Sequence, residues 1–157
     1  ALSFQYRWSD TCASEPKVKV LTYFAFEHFK PKFPLFHSDH TPRMVVSAFA
    51  GFASMLGAGE VVHTDGGIGG DFVVHTFRKD SGDIVGLAFL PPQNPNERSG
   101  YERSPRHVRI DTGAARVEVA DMFGNPTPRA TSNGVLHLVL TERPQFILGA
   151  ESLRVVE

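Results

Sequence analysis

The chain has 157 residues, of which 41% are hydrophobic and 21% are charged, and its formal net charge at pH 7 is −1. This length and composition are typical of a globular chain that can bury a core. Basic and acidic residues are interspersed, which disfavours a nucleic-acid partner. The longest apolar run, Met44–Leu56, is too short to span a bilayer, so no membrane partner is expected.

The first predicted element is a strand over residues 17–29, with the sequence KVKVLTYFAFEHF. A nearly continuous run of β-branched and aromatic residues is typical of a strand buried on both faces, as in parallel sheets covered by helices. Pro31 and Pro34 then interrupt the chain, and a loop follows.

A helix is predicted over residues 42–56. Thr41 is the expected N-cap, Pro42 the expected first helical residue, and Gly57 the expected C-terminal cap. Apolar residues recur at the helical spacing and predict one buried face, made of Val45, Ala48, Phe49, Phe52 and Met55.

After Gly59 the apolar period changes from 3.6 to 2, and turn-forming residues recur every 8–12 residues. This pattern predicts an antiparallel β-sandwich of about eight strands, so the chain is mainly β, with one strand and one helix ahead of the sandwich. The expected division is a segment over 1–58 and a sandwich domain over 59–157. The predicted strands are Glu60–Thr64, Asp71–Arg78, Ile84–Leu90, His107–Thr112, Arg116–Asp121, Pro128–Thr131, Val135–Leu140 and Gln145–Glu151.

Several motifs occur together in an order that is familiar from one group of enzymes. An aromatic strand at Tyr23–Glu27 is followed by Asp39-His40-Thr41-Pro42-Arg43, which is similar to a D-x-T-P-x-P segment. Residues 71–89 form a strand–turn–strand pattern, and residues 117–126 read V-x-V-x-D-x-x-G-N-P. From about Lys17 onward the chain resembles the C-terminal region of clan A glycoside hydrolases, where a (β/α)8 barrel ends and an accessory β-sandwich begins.

The resemblance implies a parent that is a retaining O-glycosidase, with a glutamate after the fourth barrel strand and another on the seventh. Retaining chemistry needs two carboxyl groups roughly 5–5.5 Å apart. If residues 17–29 correspond to the eighth strand, both glutamates would precede Ala1, so no catalytic residue is expected in this chain. The implied partner is the missing barrel, or another chain that carries it. No cofactor is expected, and the family favours a secreted or periplasmic location.

Candidate ligand-binding residues lie in two places. Glu27 is near the carboxyl end of the predicted strand, where barrel active sites are built, and with Phe26 and His28 it could line a sugar subsite. Tyr101 lies in the long polar, proline-rich connection Pro91–Pro105, where a carbohydrate-binding module would place a flat aromatic ring.

Histidines supply the metal-binding candidates. His37 and His40 flank Asp39 in one loop, and His63 and His75 are expected to face each other across the first hairpin. Ordinary polar histidines are the competing interpretation. The sequence therefore favours a structural support for a barrel, with a carbohydrate-binding module or a small histidine-site metalloprotein acting on polysaccharide as alternatives.

Overall fold

The computed structural model describes residues 35–37, 39, 41–57, 59–67, 70–91 and 103–156. The strand predicted over 17–29 lies outside these ranges. Within them, one helix precedes a series of strands. The helix is α1 (Met44–Leu56), and the strands are β1 (Glu60–Gly66), β2 (Val73–Arg78), β3 (Ile84–Phe89), β4 (Arg106–Asp111), β5 (Arg116–Ala120), β6 (Pro126–Ala130), β7 (Val135–Leu140), β8 (Gln145–Ala150) and β9 (Arg154–Val156).

The strands form two antiparallel sheets, which confirms the predicted fold class. A six-stranded sheet has the order β1-β2-β3-β8-β5-β6, and a three-stranded sheet has the order β7-β4-β9. All eight predicted strands are present, one of them (Val135–Leu140) with the predicted bounds and the other seven with shifted ends, and β9 is additional. None of the helices in the described ranges has the length and apolar character needed to cross a membrane.

The large sheet is packed on both faces. One face, which includes Val74, Ala88 and Ile147, packs against Ile110 and Leu138 of the small sheet. The opposite face joins a second apolar cluster with Phe52 and Leu56 of α1; its strand residues are Val73, Phe77, Val85, Leu87, Phe89, Ala120 and Phe146. The result is three layers: a small sheet, a large sheet and a helix.

The helix begins two residues later than the sequence predicts. Arg43, not Thr41, is the N-cap, and it makes no side-chain cap hydrogen bond. Thr41 is engaged elsewhere, because its N–H and hydroxyl both donate to Asp39 Oδ1, at 3.0 and 2.6 Å. Pro42 forms an isolated β-bridge with Phe36. The predicted C-cap is confirmed, since the N–H of Gly57 donates to the Ala53 carbonyl.

The buried face of α1 also differs from the predicted one. Phe49 is 42% exposed, whereas Gly51 and Leu56 are buried together with Ala48 and Phe52. A Cβ on Gly51 would lie 2.7 Å from the Phe123 carbonyl carbon. Glycine therefore lets the helix backbone rest directly on the turn between β5 and β6, and this contact rotates the helix relative to the predicted stripe.

Candidate functional site

The candidate residues Phe26, Glu27, His28, His40 and Tyr101 lie outside the described residues. Their sugar-binding and metal-binding roles stay predictions. The described candidates are His37, His63 and His75.

His37 lies in a tight turn ahead of α1. It is exposed, and its backbone N–H donates to the Thr41 carbonyl at 2.8 Å. The neighbouring Asp39 accepts both donors of Thr41, and the hydroxyl bond is the main reason why the pKa of Asp39 lies below its usual value. The Asp39 carboxylate thus already closes its own turn, and metal binding at His37 is an untested prediction.

The structure does not bring His63 and His75 together. Glu60 pairs with Arg78 and Val61 with Phe77, and continuing this register would place His63 opposite His75. A β-bulge between Val61 and His63 shifts the register, so His63 pairs with Thr76, and Thr64 pairs with His75. Because neighbouring side chains on a strand alternate between faces, the two imidazoles point to opposite faces of the sheet. The expected pairing across the hairpin is therefore wrong.

Each histidine instead has its own environment. His63 Nε2 lies 3.0 Å from Asp65 Oδ1. The other oxygen of Asp65 accepts the backbone N–H of Val155 in β9, also at 3.0 Å. Asp65 therefore links the edge of the large sheet to the edge of the small one. Within the described ranges, no three His, Cys, Asp or Glu residues are grouped so that they could hold a metal ion.

His75 is buried on the helix side of the large sheet, with 4% of its surface exposed. Its Nδ1 is 2.8 Å from the Thr64 hydroxyl oxygen, and its ring centroid lies 6.2 Å from Phe77 and 6.1 Å from Phe89. Among the described residues, its Nε2 has no hydrogen-bond partner. Burial lowers the pKa of His75 to about 4, so the imidazole is neutral at pH 7.

The helix presents an unusual surface to solvent. The sequence of α1, MVVSAFAGFASML, contains no charged residue. We call its exposed side the outer face of α1; it includes Met44, which is 68% exposed, together with Ser47, Ala50, Ala53 and Ser54. A helix that ends a globular layer normally carries charged residues on its solvent side. Small side chains such as these let another element approach the helix axis closely.

The turn between β5 and β6 supports this helix. Burial raises the pKa of Asp121, but hydrogen bonds from Asn125, Phe123 and Gly124 outweigh that effect and lower it. The carboxylate accepts the N–H groups of Phe123 and Asn125 at 2.9 and 3.0 Å. The D-x-x-G-N pattern therefore forms a self-closed turn on which Gly51 rests.

Ion pairs and hydrogen bonds of two arginines, which the sequence analysis did not predict, hold the two ends of the Pro91–Pro105 connection. Arg106 Nη1 lies 2.6 Å from Asp71 Oδ2, and its guanidinium group is 5.0 Å from the ring centroid of Phe72. Arg103 Nη1 donates to the Pro91 carbonyl at 2.9 Å, and its backbone N–H donates to Glu142 at 3.1 Å. The arginines beside Pro105 were a signal in the sequence, but their partners are distant along the chain.

Neither a protein-family model nor a curated protein matches the chain. Among solved structures, the chain is similar to a family 39 glycoside hydrolase from the gut symbiont Bacteroides cellulosilyticus WH2, with a TM-score of 0.57 and 24% identity. The match covers 74% of this chain and 22% of that chain. The aligned 74% of this chain thus shares its fold with about a fifth of that glycoside hydrolase chain.

Proposed function

We propose that this chain is the C-terminal accessory region of a glycoside-hydrolase-like protein that acts on polysaccharide or oligosaccharide. In this proposal the sandwich supports a catalytic (β/α)8 barrel and is not catalytic alone. The observation that carries the proposal is the outer face of α1, which has no charged residue although the inner face of the same helix is already packed on the sheet.

The inner packing makes the helix a fixed platform. Phe52 lies edge-on to Phe146, with ring centroids 6.0 Å apart, and Gly51 touches the Phe123 backbone. Two contacts at neighbouring positions restrict both the rotation and the sliding of α1 over the sheet. A partner that packs on the outer face therefore meets a surface whose orientation is set in advance, which lowers the entropic cost of association.

A barrel is the occupant that the observations favour. The fold match covers a small part of the similar glycoside hydrolase chain, so that chain contains much structure beyond the aligned part. In this chain α1 directly precedes β1, which is the order in which a last barrel helix would lead into an accessory sandwich. A contact of roughly 800 Å² per partner would give a stable assembly.

The first test is the reading frame upstream of Ala1. We expect it to encode a barrel with a glutamate after the fourth strand and another on the seventh. That barrel, produced separately and mixed with the 157-residue chain, is expected to form a one-to-one complex in sedimentation velocity. A reading frame without a barrel, or a barrel that does not bind, would contradict the proposal.

A variant of the outer face makes this test specific. Ala50→Arg places a charged side chain at an exposed position of α1 and is expected to weaken the complex by about tenfold or more, since an unpaired interfacial charge costs over 1.4 kcal/mol. Thr127→Arg, on the exposed edge strand β6, is the matched control and should bind normally. Equal affinities for the two variants would show that α1 is not the contact surface.

Activity provides the complementary measurement. The chain alone is expected to show no turnover of aryl glycosides, while the complex hydrolyses them. Hydrolysis by the repurified chain alone would show that the catalytic machinery lies within these 157 residues, against the proposal.

A further inference from the structure

The two-residue turn between β6 and β7 holds the dipeptide Asn133-Gly134 in one fixed conformation. The N–H of Ser132 donates to the Val135 carbonyl at 2.9 Å, and the N–H of Val135 donates to the Ser132 carbonyl at 3.0 Å. The φ angles of Asn133 and Gly134 are +52° and +80°, so both residues lie in the left-handed region. These features together define a type I′ hairpin turn.

An asparagine that is followed by glycine carries a reactive pair of groups. The backbone nitrogen of Gly134 can attack the side-chain carbon Cγ of Asn133. The N–Cγ bond forms, the Cγ–Nδ2 bond breaks, and ammonia leaves with the proton of the attacking nitrogen. Water then opens the imide ring at either carbonyl, which yields aspartate or isoaspartate. Glycine has no Cβ to hinder the attack, and the exposed Asn133 is accessible to water.

The folded turn keeps the two reacting atoms apart. In a type I′ turn the ψ angle of the first central residue is about +30°. At this angle the Cβ of Asn133 and the nitrogen of Gly134 lie almost opposite each other across the Cα–C bond. In the imide these two atoms are eclipsed, because both belong to the same small ring. The peptide between Asn133 and Gly134 must therefore rotate by more than a right angle before the ring can close.

Thr112, in the turn between β4 and β5, opposes this rotation. Its backbone N–H and its hydroxyl both donate to the Gly134 carbonyl, at 2.8 and 2.7 Å. Thr112 is fully buried, and its own carbonyl accepts the N–H groups of Glu151 and Ser152 at 2.9 and 3.2 Å. The Gly134 carbonyl is thus anchored to a residue that is itself fixed to the segment between β8 and β9. Rotation of the Asn133–Gly134 peptide displaces Gly134 and breaks both bonds to Thr112.

We propose that Asn133 is a deamidation site which the folded chain keeps closed, and that the hydrogen bonds between Thr112 and Gly134 set how often it opens. The rate of modification is then the rate in the open turn multiplied by the fraction of chains in which the turn is open. Local opening of this kind has a free energy between zero and the global free energy of unfolding.

The modified turn differs from the original in charge and in length. Either product adds a carboxylate close to the β4–β5 turn, where Asp111 Oδ1 lies 3.7 Å from the position that a Cβ on Gly134 would take. Isoaspartate also lengthens the backbone by one atom, which the two-residue turn cannot accommodate without losing its geometry. Deamidation of Asn133 is therefore expected to weaken the link between the two turns.

The first test compares the complete chain in its folded state and in guanidinium chloride, in the same mildly alkaline buffer. Peptide mapping by mass spectrometry follows the exchange of the Asn133 amide NH2 for OH. We expect conversion to be at least about tenfold faster in the unfolded chain. Asn125 is an internal control that should stay unmodified in both states, because Pro126 has no N–H with which to attack. Equal rates at Asn133 in the two states, or no modification of the unfolded chain, would overturn the proposal.

A variant of Thr112 tests the anchor with little change in side-chain volume. Thr112→Val removes the hydroxyl bond to Gly134 but keeps the backbone one, and it should raise the rate in the folded chain by about three- to tenfold. Thr112→Ser keeps the hydroxyl and should react at nearly the unmodified rate. Thr141→Val is the matched control, because it removes a hydroxyl that accepts the Arg143 N–H in a different turn. An unchanged rate in Thr112→Val, or equal acceleration in Thr141→Val, would overturn the role of Thr112.

Amide hydrogen exchange in the unmodified chain gives a second measurement, which decides the matter even if Thr112→Val fails to fold. The N–H of Thr112 exchanges only when its bond to Gly134 opens, so its protection should match the protection of Asn133 against deamidation. Protection factors that differ by more than about tenfold would show that the two events are separate, against the proposal. None of these residues belongs to α1, so the inference does not depend on the proposed barrel contact.

Discussion

His75 shows how one buried residue can make the stability of the whole chain depend on pH. In the folded chain its pKa is lowered to about 4 by burial, from an ordinary value of 6.5. The unfolded chain therefore binds a proton on this residue more readily than the folded chain does between these two values. The destabilisation that His75 causes is therefore absent above pH 6.5, grows as the pH falls and is complete below about pH 4.

We therefore predict that the free energy of unfolding falls as the pH is lowered from 7 to 4. The shift in pKa corresponds to an upper limit of about 3 kcal/mol, since one pKa unit is worth about 1.4 kcal/mol. Urea denaturation at several pH values measures it. In His75→Asn, which keeps a polar atom near the Thr64 hydroxyl, this part of the slope should vanish. The exposed His137→Asn should retain it, and an identical slope in both variants would count against the assignment to His75.

At the scale of single elements, Gly51 reverses the usual preference for alanine in a helix. An alanine normally stabilises a helix interior by about 0.5–1 kcal/mol relative to glycine. Here its Cβ would lie 2.7 to 2.9 Å from backbone atoms of Met122 and Phe123, which cannot move aside as a flexible side chain can. The steric term is therefore expected to outweigh the helical one.

We predict that Gly51→Ala lowers the free energy of unfolding by about 1–3 kcal/mol, the usual cost of overpacking. Thermal and urea denaturation monitored by circular dichroism provide the measurement. Ala53→Gly, on the exposed side of α1, is the control, and it should cost about 0.5–1 kcal/mol through propensity alone. A stabilised Gly51→Ala variant would mean that the helix does not rest on the β5–β6 turn.

The sequence predicted the elements well where local chemistry decides them. Some predicted strands alternate between apolar and polar residues, others contain an apolar run, and turn residues separate them, so eight strands could be recognised. The short strand β9 was missed because three residues are too few to show a period. The helix start was misplaced because Asp39 engages both donors of Thr41, a local bond that competes with helix capping.

The candidate site was harder to predict because it depends on register. Regular pairing of β1 with β2 would place His63 opposite His75. A single bulge residue, Val62, shifts the register of the two strands by one position. Nothing in the local sequence marks that bulge, because both neighbours of Val62 are compatible with a regular strand. The pairing of β3 with β8 contains a second bulge at Gly149, and here the glycine within the strand was a signal that could have been used.

At the scale of the whole molecule, the helix and the sandwich share one apolar cluster. Phe52 and Leu56 lie in the same cluster as Phe77 and Phe146 of the large sheet. The division of the chain at residues 58 and 59, which the change of period predicts, would cut through this cluster. Sequence periodicity marks where secondary structure changes, whereas the physical unit is set by which apolar faces cover each other.

The last prediction concerns this division. A chain that begins at Gly59 is expected to be less stable than one that begins at Leu35, by about 3–6 kcal/mol. The reason is that α1 buries Phe52 and Leu56 on the sheet, and burial of each large apolar side chain contributes about 1.5–3 kcal/mol. Urea denaturation of the two chains measures the difference, and stronger binding of the dye ANS to the shorter chain would report the uncovered face of the large sheet. Phe52→Ala in the longer chain should give an intermediate stability, since it removes part of the same contact. Equal stabilities of the two shortened chains would establish residues 59–157 as an independent domain. In that case α1 would not be held firmly on the sheet, and the proposed barrel contact would lose the fixed orientation on which it depends.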